Sequence, residues 1–103
     1  MRGIKKELPP LNLIGPQVRK LRDQKGWTQE VFAEKLQLFG WDISRESLAK
    51  LENQLRRVPD GELLVLAKIM GVSLDALFPA QVNLRQLGPQ FRVRLSHKFK
   101  RTN

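Results

Sequence analysis

SRESLAKLENQLRR, residues 44–57, is the stretch on which the fold turns. It opens with a serine suited to cap a helix, carries Leu48, Leu51 and Leu55 along one side, and ends in Arg56-Arg57. Apolar residues at i, i+3 and i+7 bury one face of a helix. The opposite face then shows Arg45, Glu46, Ala49 and Lys50 to something outside the protein.

Outward from that stretch the same pattern recurs. Ile14, Val18 and Leu21 form an i, i+4, i+7 stripe over residues 15–25, Pro16 suits a first helical turn, and Gly26 ends the segment. Thr28 caps a second helix with the stripe Phe32, Leu36 and Phe39, Val31 and Ala33 beside it, and Gly40 as its stop. Pro59-Asp60 starts a fourth, with Leu63, Leu66, Ala67 and Met70 inward and Gly71 closing it. Ser73 caps a short fifth holding Leu74, Leu77 and Phe78, ended by Pro79. No segment of 13–79 alternates with period two over a useful length. The spacing predicts an all-α unit of five helices, and two short helices joined by a tight connection make a helix-turn-helix.

Composition bounds what such a unit does. The 103 residues make one domain with a modest core, and the absence of cysteine excludes disulfides and thiolate metal sites. That fits a cytoplasmic protein. The longest apolar run, Leu63 to Ala67, is far short of a bilayer span, and the N-terminus lacks the apolar stretch of a signal peptide. The net charge of +9 is unevenly placed: +2 over 1–12, +1 over 13–79 and +6 over 80–103. A near-neutral unit with basic flanks is one way to hold a polyphosphate; the plainer reading is a solubilising tail.

IGPQVRKLRDQKGWTQEVFAEKL followed by ISRESLAKLENQLRRVPDGELLVLAKIMGVSLDALF resembles the Xre/Cro family of lambda-repressor-like DNA-binding domains. The likeness covers residues 14–78, and KGWTQEVFAEKL, ISRESLAKLEN and GVSLDALF are specific in combination. It implies a sequence-specific DNA-binding transcriptional regulator, a repressor or autoregulator acting as a homodimer on double-stranded DNA without a cofactor. In such domains the glutamine opening the second helix touches phosphate, and Gln29 matches it. The third helix enters the major groove with its N-terminal residues at base edges. The matching positions are Ser44, Arg45, Glu46, Ser47, Ala49 and Lys50, with Asn53, Arg56 and Arg57 following to grip the backbone. Arg45 and Lys50 can donate to guanine, Glu46 can accept from cytosine, and either serine can reach phosphate or base.

Several of these residues have duller uses. Ser44 serves as an N-cap whatever else it does, Glu46 can pair with Lys50 at i+4, and Arg56-Arg57 can be a solvated pair. Glu52 suits an internal ion pair with a first-helix arginine better than a DNA contact. The sequence also departs from the family pattern. LQLFGWDIS, residues 36–44, makes the connection between the second and third helices about five residues longer than the family usually has, leaving Trp41 either to touch sugar or thymine methyl or, the favoured reading, to cover core. Gln54 stands where glycine commonly ends the third helix, which implies continuation to Leu55.

The organisation expected is an arm at 1–12, the helical domain at 13–79 and a basic extension at 80–103. Within the extension FRVRLSHKFK alternates, with Phe91, Val93, Leu95, His97 and Phe99 on one side, which reads as a half-buried strand. A strand beside helices needs a partner for its backbone, so the segment is a dimerisation strand or a basic DNA arm. His97 reads as a surface or edge residue and not as a ligand. One histidine, no cysteine and no glycine-rich phosphate loop offer no catalytic constellation, so an enzyme is not expected. RNA binding lacks the stacking aromatics of the common modules. The competing function is a protein-interaction module, such as an antitoxin whose main partner is a toxin.

Overall fold

Thr28 and Ser44 set the starts of the two central helices in the computed structural model, which describes residues 9–84, 87, 88 and 91. Each hydroxyl oxygen accepts the N–H three residues on, Val31 for Thr28 and Ser47 for Ser44, both at 3.0 Å. A side-chain cap of this kind stabilises a helix by about 1 kcal/mol. The helices are α1 (Gly15–Gln24), α2 (Gln29–Phe39), α3 (Arg45–Glu52) and α4 (Asp60–Met70). The all-α class holds, but the fifth expected helix is a four-residue 3-10 turn, Leu74–Leu77. Ser73 precedes it in extended conformation without a side-chain cap bond, and Pro79 follows two residues beyond. So short a segment closes only i→i+3 bonds, from Ala76 N–H to Ser73 O and Phe78 N–H to Asp75 O, each 3.1 Å.

The core forms where the stripes meet. Helix α3 packs on α1 and on α2, α2 reaches α4, and the 3-10 turn closes on α4 and α1. Leu48 and Leu51 of α3 are fully buried among Ile14, Val18, Phe32 and Leu36. Burying each such side chain contributes about 1.5–3 kcal/mol. The apolar stripe of α2 is narrower than its spacing suggests: Phe39, at its end, is 52% exposed, and Val31, in its first turn, 39%. Past Gly40 the longer connection brings Ile43 into the core and Trp41 against it, so Trp41 covers core as its packing reading required. Gln37 ties this connection down by donating from Nε2 to Ile43 O at 2.7 Å.

Helix α3 ends at Glu52 and does not continue to Leu55. Gln54 itself takes the left-handed conformation, φ 63°, that glycine commonly supplies. Its N–H bonds Leu51 O at 3.1 Å and the Leu55 N–H bonds Lys50 O at 2.8 Å, the paired closure of a Schellman motif. Long-range bonds hold it there: Gln54 Nε2 donates to Asn12 O at 2.9 Å, and Leu11 N–H donates to Gln54 O at 3.0 Å. Leu55 is consequently carried off the buried face and is 46% exposed. Asn12, itself buried, completes the junction by donating to Leu51 O at 3.0 Å and Arg56 O at 2.8 Å while accepting from Gly15 N–H at 2.8 Å.

This junction draws the start of α1 onto the end of α3 at Gly15. A Cβ there would stand 2.5 Å from Leu51 O and 2.7 Å from Glu52 O, both backbone atoms that cannot swing aside. Gly15→Ala is therefore expected to destabilise the domain by about 2 kcal/mol, the usual scale of overpacking. Urea denaturation measures it, and an unchanged midpoint would mean that the two helices do not approach so closely in solution.

Candidate nucleic-acid interface

The buried seam of α3 leaves its other side in solvent. Ser44, Arg45, Glu46 and Lys50 are exposed, and Ser47 and Ala49 are half-buried at its margin. The Ser44 hydroxyl oxygen is used by the Ser47 N–H, which leaves its O–H to donate. Arg45 Nη2 lies 3.8 Å from Glu46 Oε2, a loose contact between two exposed side chains that water and salt screen readily. Glu46 thus sits by Arg45, not by Lys50. Arg45 also borders a shallow hollow with Glu30, Glu34 and Gln37 of α2. Two carboxylates on that side disfavour phosphate and leave the guanidinium better suited to base edges.

The N-terminus of α2 is held against α3 by buried charge. Arg22 of α1, 7% exposed, donates from Nε to Glu52 Oε2 at 2.6 Å and from Nη2 to Oε1 at 3.0 Å; Glu52 is 3% exposed. Glu52 therefore pairs internally with a first-helix arginine, as its position required. The remaining Nη1 donates to Trp27 O at 2.7 Å and fixes the turn before α2. Hydrogen bonding to Glu52 raises the Arg22 pKa above its ordinary value; burial opposes this, and attraction to Glu52 and Asp23 adds to it. Gln29, half-buried, closes the network by donating from Nε2 to Glu52 Oε1 at 3.0 Å.

Beyond α3 the expected backbone grips divide. Arg57 and Asn53 are exposed, Asn53 as the residue capping the helix end. Arg56 is half-buried with Nη2 3.1 Å from Glu62 Oε1, so it braces the α3–α4 connection, and its carbonyl holds Asn12. Two cations escaped the reading of the sequence. Lys25 Nζ and Lys35 Nζ lie 5.3 and 4.8 Å from the Trp27 ring centre, beside the start of α2. The ring, tilted at 33° against Phe32 with centroids 5.6 Å apart, holds positive charge there by cation–π attraction. A lysine two residues before that tryptophan was the available signal. Phe91, the one described residue of the expected strand over 90–100, closes a turn by donating its N–H to Gly88 O at 3.0 Å and is not in a strand; the rest of that segment and its basic residues lie outside the described residues. Among the described residues no group of three or more His, Cys, Asp or Glu gathers as metal ligands, and no helix is long and apolar enough to cross a membrane.

Comparison with known proteins agrees with this fold. A solved structure described as a hypothetical transcription factor, NHTF, from Neisseria superposes with a TM-score of 0.55. It covers 74% of this chain and 86% of its own at 22% identity, a likeness of fold. No curated protein matches the chain significantly. Residues 18–77, more than half of the sequence, match the helix-turn-helix family model HTH_3. That span holds the capped α2 and α3, the buried Arg22–Glu52 pair and the exposed face of α3, and the chain belongs to this Xre/lambda-repressor-like helix-turn-helix family of DNA-binding domains.

Proposed function

We propose that the chain is a sequence-specific transcriptional repressor or autoregulator, binding duplex DNA as a homodimer in the cytoplasm and reading the major groove with α3. The observation that carries this reading is one buried network that ties the N-terminus of α2 to the C-terminal end of α3: Gln29 at the start of α2 is bonded to Glu52, the last residue of the helix whose outer face bears Arg45 and Lys50. Amides and positive dipole at the start of α2 suit a phosphate, and the exposed donors of α3 suit base edges. Gln29, Asn53 and Arg57 position the domain on the backbone, together with Lys25 and Lys35. Ser44, Arg45, Glu46, Ser47, Ala49 and Lys50 face the bases. Arg56 acts on the backbone only if it leaves Glu62.

Selection of bound duplexes from a random pool tests the proposal directly, and an unenriched pool would remove it. Arg45→Ala is expected to weaken the best site by about 1–3 kcal/mol and to relax preference at one base position. Gln29→Ala weakens all duplexes alike, because phosphate contacts carry no sequence information. Unchanged affinity and preference in Arg45→Ala would mean that another register of α3 meets the bases.

The dimer is assigned to the extension, residues 80–103. Pairing of its alternating segment about a two-fold axis would satisfy two strand backbones at once and set cations from both chains on one surface. Truncation after Ala80 is expected to give a monomer by sedimentation with much reduced affinity; a truncated dimer would leave the extension as a DNA arm. A protein partner is the second reading. An apolar groove of about 350 Å³ lined by Leu11, Leu13, Val58, Leu63, Phe78 and Phe91, and the 89% exposed Leu38 favour it.

A further inference from the structure

We infer that Glu52 is a positioning residue for the phosphate contact: its buried carboxylate orients the Gln29 amide so that one N–H is held inward and the other is presented to a DNA phosphate. The inference rests on the DNA-binding reading and deepens it. A carboxylate accepts and cannot donate, so only the nitrogen end of the Gln29 side chain can face it at 3.0 Å. That nitrogen carries two hydrogens. One is spent on Glu52 Oε1, and the second points away from it at the half-exposed start of α2.

Glu52 can hold this aim because it is itself immobile. Two Arg22 nitrogens fix both of its oxygens, and the third Arg22 nitrogen is fixed by Trp27 O, two residues ahead of Gln29. The amide is thereby set before DNA arrives, without the entropy loss of freezing a free glutamine. Because Glu52 is also the last residue of α3, the same carboxylate keeps the phosphate donor of α2 in register with the base-facing residues of α3. An unrestrained glutamine would present its carbonyl oxygen and its nitrogen about equally until a phosphate arrived, and would have to select the nitrogen on binding.

Two measurements on the full chain test this. In side-chain amide NMR with a selected duplex, one Gln29 hydrogen should stay shifted and slow to exchange, as it is in the free protein, while the other moves on binding. Affinity should fall about tenfold in Gln29→Ala and by a similar factor in Glu52→Gln, with the double variant no weaker than either. If Glu52→Gln is too unstable to assay, the NMR result alone decides. Binding during which both Gln29 hydrogens shift, or neither does, overturns the positioning role and leaves DNA binding intact. So do independent, multiplying losses in the double variant. A chain that binds no duplex overturns the functional reading itself, and this inference with it.

Discussion

Arg22→Met is expected to lower the unfolding free energy by about 3–5 kcal/mol, the cost of leaving a buried charge without its partner. Methionine nearly fills the arginine stem's volume, so packing changes little. The Glu52 carboxylate, 3% exposed, then keeps only the Gln29 amide of its three donors. Trp27 O loses its donor as well, which loosens the turn that starts α2. A small domain holding 5–15 kcal/mol in total can lose much of its folded population to such a change. Arg22→Met combined with Glu52→Leu should recover most of the loss, since an apolar replacement of a whole buried pair is often neutral or stabilising. Urea denaturation of the three chains measures both effects. A loss under 1 kcal/mol in Arg22→Met would show that water reaches Glu52. Raising the pH is no substitute for the mutation. The Arg22 pKa is raised on folding, so its contribution is complete at every pH below its unfolded pKa and is lost only as pH climbs through the still higher folded value.

Much of this core was legible because its signals are local. Ser44 and Thr28 cap the helices whose leucine and phenylalanine stripes follow them, and glycines 26, 40 and 71 adopt positive φ at three helix ends. Glu52 could be placed inside because a carboxylate beside the fully buried Leu51 needs a partner. What could not be read depends on residues far apart in the chain. Asn12 stands in a proline-rich approach that looks like linker, yet its side chain serves Leu51 and Arg56, 39 and 44 positions away. The same junction holds Gln54 in a conformation its own propensity disfavours, and so decides where α3 stops. The spacing of the α2 stripe includes Phe39, but Phe39 is half exposed and Ile43, beyond the Gly40 turn, enters the core instead.

The candidate site divides along the same line. The outward face of α3 follows from helical spacing once Leu48 and Leu51 are inside, so Arg45, Glu46 and Lys50 could be named from sequence. Arg56 could not be separated from Arg57 that way, because only the return of α4 brings Glu62 to 3.1 Å from one of them. Lys25 and Lys35 sit ten residues apart, and only folding brings both to the Trp27 ring.

Affinity for DNA is expected to fall about 10⁴-fold between 50 and 200 mM salt. Each phosphate neutralised releases condensed counterions, giving a slope of log K against log[salt] near −0.9 per contact. A dimer that neutralises about eight phosphates, roughly four per subunit, therefore gives a slope near −7. The chain has the cations for this in two places. Lys25, Lys35, Lys50 and Arg57 lie on the described domain, and residues 80–103 add six basic side chains with no acidic one. The two sources are separable because the domain alone is nearly neutral, +1 over 13–79. If the extension supplies about half of the contacts, truncation after Ala80 halves the slope, measured at duplex concentrations that keep both subunits bound. Gln29→Ala, by contrast, should lower affinity while leaving the slope unchanged, since a neutral amide displaces no counterion. A flat response in the full chain would mean that its charge does not lie along a phosphate backbone, and the apolar groove beside Phe91 would then become the surface to test with a protein partner.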